Sequence, residues 1–193
     1  MFTVDEETGL TGAFALSKDL LKGEILINLD TEEEGEIYIG CAGGKITTIT
    51  FTYNKEDIPA NYFWFKVQVN GLAGGHSGSE IHKGLGNANK ILNRYLWTLN
   101  NKYILVLAEI NGGNLHNAIP REAYAIAGVP YSKKEDIIIE LNTLSPLIEA
   151  ELKYIDPEFR MKVESTDTPE FIIDKTTTTD LLNGLYACPH GVL

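Results

Sequence analysis

The chain has 193 residues, of which 44% are hydrophobic and 22% charged, and its formal net charge is -11. This composition predicts a packed globular core and excludes intrinsic disorder, which combines low hydrophobicity with high net charge. The acidity argues against nucleic acid as a partner, because binding phosphates requires clustered lysine and arginine. The length allows one full domain, or one domain with a fragment of another.

The first 30 residues predict a strand, a helix and a strand. Phe2 to Val4 and Glu24 to Leu29 are short apolar runs, and between them Leu10 to Leu21 has helical apolar spacing. This order is typical of a βαβ unit in a parallel sheet. Since two strands do not form a stable parallel sheet, we expect this unit to belong to a larger sheet and the chain to begin inside it.

A change of composition near residue 44 predicts a domain boundary, with residues 1–44 on one side and 45–193 on the other. Before it, the acidic run Glu32 to Glu34 is interpreted as a solvated turn, and the glycines from Gly40 to Gly44 as a linker. After it, Lys45 to Tyr53 and Tyr62 to Val69 alternate apolar and polar residues and predict strands.

The second domain continues with alternating helices and strands. A glycine-rich loop precedes a helix that starts after the predicted N-cap Asn87, and Ser132 with Glu135 forms a capping box for a later helix that Pro146 should kink or interrupt. The further predicted strands are Tyr103 to Ile110, Glu122 to Val129 and Phe159 to Val163, and the last predicted helix is Thr179 to Tyr186. No closing strand follows, so we expect this domain to be incomplete.

Two carboxylate positions are candidates for metal chemistry. Glu6 and Glu7 are adjacent acids after a predicted strand, so one could bind a metal while the other acts as a general base. Asp30 ends the apolar run INLD, where α/β folds place ligand-binding groups. The alternative for Glu6 and Glu7 is that they are surface acids, and the alternative for Asp30 is that it caps a turn or helix.

His76 and Asn117 are candidates for contact with a substrate. His76 lies in GGHSG, where the flanking glycines leave the imidazole accessible, whereas His82, His116 and His190 lack such a setting and are interpreted as surface or packing residues. Asn117, in GGNLHNAIP, could donate an amide hydrogen bond to a substrate oxygen, the alternative being a turn residue.

Two further features bear on the compartment. Cys41 and Cys188 show no disulfide framework or zinc-finger spacing, and reduced cytosolic thiols fit them best. No apolar stretch approaches the roughly 20 residues that span a bilayer, and the N-terminal residues are acidic where a signal peptide is basic. We therefore expect a cytoplasmic protein that does not insert into a membrane.

The segments VDEETG, INLDTEEEGE, GCAGG, GLAGGHSGSEIHKGLGNANK and GGNLHNAIPREA occur in an order that resembles the aminoacylhistidine dipeptidases, also called Xaa-His or cytosol non-specific dipeptidases. The resemblance runs from the start to about Tyr131 and continues more weakly to LLNGLYACPHGVL. It implies an α+β chain, in which a fragment of an α/β zinc-peptidase catalytic domain precedes a lid domain. The lid would have an antiparallel sheet with helices on one face and would mediate homodimerisation.

The resemblance also implies roles for the candidate residues. Glu6 matches the general base, Glu7 a ligand of one metal and Asp30 a ligand of the other, with two zinc ions, or cobalt or manganese, in a complete site. His76 matches the lid histidine that stabilises the carbonyl oxygen in the partner subunit's active site, and Asn117 a substrate contact. The implied reaction is hydrolysis of Xaa-His and other dipeptides by a metal-activated water.

The family's HxD segment, bridging aspartate and last histidine ligand have no counterpart in this sequence. One ligand for each metal falls short of the roughly three that catalytic zinc keeps, so we expect this chain alone to be inactive and not to hold zinc stably. The alternative is a non-catalytic lid or dimerisation module without hydrolase activity.

Overall fold

A computed structural model describes residues 2–30, 34–40 and 43–192. They fall into two compact units, Met1–Thr47 and Thr48–Leu193. Within the acidic run interpreted as a turn, Glu32 and Glu33 lie outside the described residues, as does Cys41 in the predicted linker.

The first unit contains two single-turn helices, α1 (Glu6–Gly9) and α2 (Thr11–Phe14). The prediction of a βαβ unit is wrong, because the described residues up to Thr47 contain no strand and the helix is much shorter than predicted. Leu10, between the two helices, has a φ of 58° in the left-handed region, which interrupts a continuous helix. The apolar runs form no strand, because a strand forms only where a neighbour accepts and donates its backbone hydrogen bonds.

The second unit is built on an antiparallel sheet with three long helices. Its described strands are β1 (Lys55–Glu56), β2 (Tyr62–Asn70), β3 (Gly75–His76), β4 (Val106–Gly112), β5 (Ala118–Ile119), β6 (Ala123–Pro130), β7 (Arg160–Ser165) and β8 (Ile172–Ile173). Its longer helices are α3 (Ala88–Lys102), α4 (Lys134–Leu152) and α5 (Lys175–Ala187). Six strands form one sheet in the order β1-β8-β4-β6-β2-β7, and β3 pairs with β5 separately. This arrangement confirms the predicted α+β class with an antiparallel sheet.

Alternation along the central strands gives the sheet a helix face and an open face. On β2, Phe65, Val67 and Val69 are buried, whereas Lys66 and Gln68 between them are only partly buried. The buried positions belong to one hydrophobic core, which also contains residues of β6 and of α3. The helices therefore cover one face of the sheet, as predicted, and the partly polar face stays uncovered by them.

Helix α3 supplies the centre of this core. Its N-cap is Asn87, whose side-chain oxygen accepts a hydrogen bond from the Lys90 amide at 3.2 Å, as the sequence predicts. Leu92, Leu96 and Leu99 recur at helical spacing and are completely buried. No helix among the described residues is long and apolar enough to cross a membrane.

Strand β4 carries a bulge where it pairs with β6. Leu107 is opposite Ala127, but the next paired position is Glu109 opposite Ile126, so Ala108 has no partner. The extra residue keeps Glu109 exposed on the open face and returns Ile110 to the core side.

Three local predictions in the second unit are corrected. Lys45 to Tyr53 forms no strand, and the first pairing is that of β1, just after Asn54, whose amide donates to Asp174 at 2.9 Å. The residue Ser132 lies in a 3-10 turn and does not cap α4. The N-cap is Lys133, which forms no side-chain hydrogen bond to the helix. The acidic residues of the first turn stabilise α4 instead, through their interaction with the helix dipole. Helix α4 is not interrupted at Pro146, which is exposed, so water can satisfy the carbonyl that loses its partner; the alternative of a kink stays a prediction.

Tyr95 generates a prediction about alkaline stability. Its ring is completely buried and its hydroxyl donates to the Ile137 carbonyl oxygen at 2.7 Å. Burial raises the pKa of this phenol, with a smaller effect from the Glu140 carboxylate. Because the folded pKa lies above the unfolded one, the stabilisation is complete below about pH 10 and is lost as the pH rises further.

We expect Tyr95→Phe to lower the free energy of unfolding by about 1 kcal/mol at neutral pH, because one buried hydrogen bond is lost. The variant should also lose less stability above pH 10 than the unsubstituted chain, as measured by urea unfolding between pH 7 and 11. Tyr154→Phe, at a position 89% exposed, serves as the control and should change neither quantity. An unchanged alkaline loss in the Tyr95 variant would contradict the assignment.

Candidate functional site

His76 and Asn117 line one open cleft in the second unit, with a volume of about 1000 Å³. The cleft lies between the short β3–β5 pair and one end of the large sheet. Its other lining residues include glycine-rich turns and polar side chains of the open face, namely Gln68, Asn70, Gly74, Asn111, Gly113, Asn114, Arg121 and Tyr124. The structure thus brings together the two substrate-contact candidates, which are distant in sequence.

The pairing of β3 with β5 sets their relative position. His76 is opposite Ala118, and the Ser77 amide donates to the Asn117 carbonyl oxygen at 2.8 Å. The two residues are therefore neighbours on adjoining backbone segments, and both line the cleft.

The loop after β3 fixes the imidazole of His76. Its Nδ1 accepts hydrogen bonds from the amides of Gly78 at 3.0 Å and Ser79 at 3.1 Å. A nitrogen that accepts carries no proton, so in the neutral ring the proton is on Nε2. A methyl group at residue 78 would lie 3.2 Å from Cε1 of His76, and glycine permits this close contact. The loop therefore presents His76 as a hydrogen-bond donor through Nε2.

Glu80 closes the same turn from the other side. Its Oε2 accepts from the His76 amide at 2.8 Å, and its Oε1 pairs with the Lys83 ammonium at 2.7 Å. The hydrogen bond from Lys83 and that from the His76 amide together lower the pKa of the Glu80 carboxyl. The ionised carboxylate thus favours the backbone conformation that carries His76.

The cleft contains polar groups that the sequence analysis missed. Arg121 packs beside Gly74, where a methyl group would lie 3.3 Å from its Cβ, and no hydrogen bond or ion pair of its guanidinium occurs among the described residues. Tyr124 donates to Glu109 at 2.5 Å, and the Lys66 ammonium lies 4.3 Å from the Tyr124 ring centre. Arg121 follows NAIP directly, so its proximity in sequence to Asn117 was the available signal.

The predicted metal residues lie in the first unit. Glu6 is in α1 and exposed, whereas the side chain of Glu7 lies outside what the structure describes. The carboxylate of Asp30 is exposed, and the amide of this residue donates to the Asn28 side chain at 3.1 Å. Among the side chains that the structure describes, no three His, Cys, Asp or Glu form a cluster that could hold a metal ion. The metal roles of Glu7 and Asp30 stay predictions.

The remaining histidines are exposed. His190 lies beside the end of the glycine-rich loop. Its Nδ1 is 3.2 Å from the side-chain amide nitrogen of Asn87, and its Nε2 is 3.2 Å from the Leu85 carbonyl oxygen. His82 and His116 have no hydrogen bond among the described residues. None of the three lines the cleft.

Three comparisons agree on the kind of protein to which this chain is similar. Residues 67–155 match the family described as the peptidase dimerisation domain. The chain is 40% identical over 193 residues to the cytosol non-specific dipeptidase of Escherichia coli (strain K12), covering 100% of this chain and 40% of the relative. The crystal structure of aminoacylhistidine dipeptidase from Vibrio alginolyticus matches 99% of this chain and 39% of that chain, with 36% identity and a TM-score of 0.83. The resemblance stated from the sequence motifs is confirmed, and the chain spans about 40% of the relatives' length.

The contacts of Glu80 predict an acid-sensitive loop. The pKa of the Glu80 carboxyl is lower in the folded chain than in the unfolded chain, so this carboxylate stabilises the loop fully above the ordinary glutamate pKa of about 4.3. The stabilisation is lost as the pH falls through the folded pKa. We expect amide-exchange protection at His76 to fall in this acid range. In Glu80→Gln, which does not titrate, the protection should be lower at neutral pH and nearly constant across the range. Glu122→Gln is the control and should behave like the unsubstituted chain. The prediction fails if Glu80→Gln behaves like the unsubstituted chain as well.

Proposed function

We propose that this chain, which is similar from end to end to aminoacylhistidine dipeptidase, forms part of a metal-dependent dipeptidase that hydrolyses Xaa-His and other dipeptides. The second unit would supply the lid and dimerisation domain, and the first unit a part of the catalytic domain. The observation that carries the proposal is the Nε2–H donor of His76, which is fixed beside Asn117 in an open cleft.

His76 would stabilise the carbonyl oxygen of the scissile peptide bond. That oxygen gains negative charge as water attacks the carbonyl carbon, and a donor fixed in advance stabilises the charge without having to reorient. The ring is exposed and accepts at Nδ1, so its Nε2–H is available to a substrate. The Asn117 amide, on the adjoining segment, would hold a substrate oxygen, and Arg121 lines the same cleft.

Glu6, Glu7 and Asp30 would contribute to the catalytic centre. We assign Glu6 as the general base that takes a proton from the attacking water, and Glu7 and Asp30 as ligands of two different metal ions. Carboxylates suit zinc, and cobalt or manganese as well, but one ligand per ion is too few for a stable site. The described side chains contain no cluster that completes it. The other ligands would lie in parts of a dipeptidase that this chain does not span.

The surface of the first unit agrees with a role inside a larger domain. An apolar run in it is exposed to solvent, with Ile25 at 82%, Leu26 at 80%, Ile27 at 75% and Leu29 at 85%. Such a run is characteristic of a strand buried on both faces of a parallel sheet. In an enzyme as long as the relatives, these residues would be covered by neighbouring strands and helices.

A homodimer in the cytoplasm completes the proposal. The dimerisation-domain match supports a second copy of the chain as partner, and the name of the Escherichia coli relative supports the compartment. His76 of each subunit would then act in the active site of the other.

A chimera tests this function directly. These 193 residues would replace the aligned segment of the Escherichia coli dipeptidase, and we expect the product to hydrolyse dipeptides such as Xaa-His with added zinc and to lose activity with a chelator. In this chimera, His76→Ala should lower kcat about 100- to 1000-fold, since that is the typical effect of losing one oxyanion donor. The change in KM should be small.

His82→Ala is the matched control, because His82 is exposed on the same loop and does not line the cleft. It should leave kcat and KM unchanged. A folded chimera that hydrolyses no dipeptide would reject the proposed reaction. Equal effects of the two histidine substitutions would reject the role of His76.

The second candidate is a non-catalytic lid or dimerisation module, favoured by the match of residues 67–155 to a dimerisation domain. On this alternative the isolated chain should form dimers in light scattering and show no tight zinc binding in calorimetry, and the chimera should stay inactive. Tight binding of two zinc ions per chain would reject it.

A further inference from the structure

Asp156 is a buried carboxylate that joins the two ends of the loop carrying His76. It is only 2% exposed and lies just after α4. Its Oδ1 accepts a hydrogen bond from the Ala73 amide at 2.7 Å, and its Oδ2 accepts one from the Gly86 amide at 2.7 Å. Ala73 precedes His76 by three residues, and Gly86 ends the loop just before α3. One side chain therefore closes the loop at its stem.

The stem is tightly packed around this carboxylate. A methyl group at Gly86 would lie 2.8 Å from a terminal carbon of Leu72 and 3.0 Å from Oδ2 of Asp156. Leu72 is itself 1% exposed. The hydrogen bond from the Gly86 amide is buried, so this amide depends on the carboxylate for an acceptor, whereas the bond from Ala73 is part-buried.

Asp156 is in turn fixed to the end of α4. Its amide donates to the Leu152 carbonyl oxygen at 2.8 Å, and its own carbonyl oxygen accepts from Phe159 at 3.1 Å. The backbone of Asp156 is thus held by the end of α4 and by the amide of Phe159, a residue that is itself 1% exposed.

The segment between the stem and His76 has little rigidity of its own. It consists of Gly74, with a φ of 68°, and Gly75. Glycines restrict the backbone least, so the direction in which the chain leaves the stem has to be set from outside the segment. The β3–β5 pairing and the Glu80 carboxylate restrain the end at His76, and Asp156 restrains the stem.

We propose that Asp156 is a positioning residue for His76: by binding both loop ends it holds the ring with Nδ1 towards the Gly78 and Ser79 amides and Nε2–H towards the cleft. The catalytic consequence rests on the function proposed above. The positioning itself does not, because it concerns the tautomer and the order of the ring in the chain alone.

The test uses nitrogen NMR of the histidine rings in the full chain, with the His76 signal identified from His76→Gln. In the unsubstituted chain we expect one tautomer, with a non-protonated Nδ1 and a protonated Nε2. Asp156→Asn has the same size but can accept only one of the two amides. It should leave the fold intact by circular dichroism, speed exchange at Ala73 or Gly86 about tenfold, and give a mixture of His76 tautomers.

Glu158→Gln is the matched control, since its neighbouring carboxylate is 80% exposed and, among the described residues, forms an ion pair only with Arg160, at 3.5 Å. It should change neither exchange nor the tautomer. If Asp156→Asn speeds exchange at the stem but leaves His76 in its single tautomer, Asp156 is only structural and the proposal is overturned.

If Asp156→Asn does not fold, amide exchange in the unsubstituted chain tests the proposal instead. The proposal requires that the Ala73 and Gly86 amides are protected from exchange to the same degree. In mild denaturant, both amides should become exposed at the same denaturant concentration at which His76 loses its single tautomer. Independent opening rejects it. In the chimera, Asp156→Asn should lower kcat with little effect on KM. An inactive chimera with the expected NMR result would reject the proposed function while leaving the positioning role intact.

Discussion

The burial of one face of the central strands against α3 is the constraint on which the second unit depends. Phe65 and Val67 of β2 and the alanines of β6 contact the leucines of α3, and burial of one such large side chain contributes about 1.5–3 kcal/mol. Because side chains alternate along a strand, fixing this face also fixes which residues lie on the other. The polar groups of the open face, among them Gln68 and Tyr124, reach the cleft for this reason.

The sequence predicted the elements that this burial stabilises. Strand β2 and helix α3 have a clear apolar period and β6 alternates less cleanly, and all three occur close to their predicted positions. The predictions failed where an apolar pattern has no described partner to cover it. The run from Ile25 to Leu29 reads as a strand, but strand formation requires a neighbour, and no local pattern contains that information.

The candidate site was predictable in its residues and not in its geometry. The glycines around His76 indicated an accessible ring, but its tautomer depends on amides two and three residues later, which only the folded loop reveals. Asp156 gave no signal at all, because an Asp-Pro pair after a helix is an ordinary turn sequence. Its partners lie 70 and 83 positions away in the chain.

The unpaired Ala108 in β4 decides on which face the later residues of the strand lie. If Ala108 were paired with Ile126 without a bulge, Glu109 would be opposite Ala125, on the side that faces the helices, and Ile110 would lie on the open face. Removing Ala108 would instead leave Glu109 opposite Ile126, so related chains can lose this one residue without turning a charged side chain towards the helices. A one-residue gap in an alignment of homologues should accordingly fall between Leu107 and Glu109 and not later in the strand.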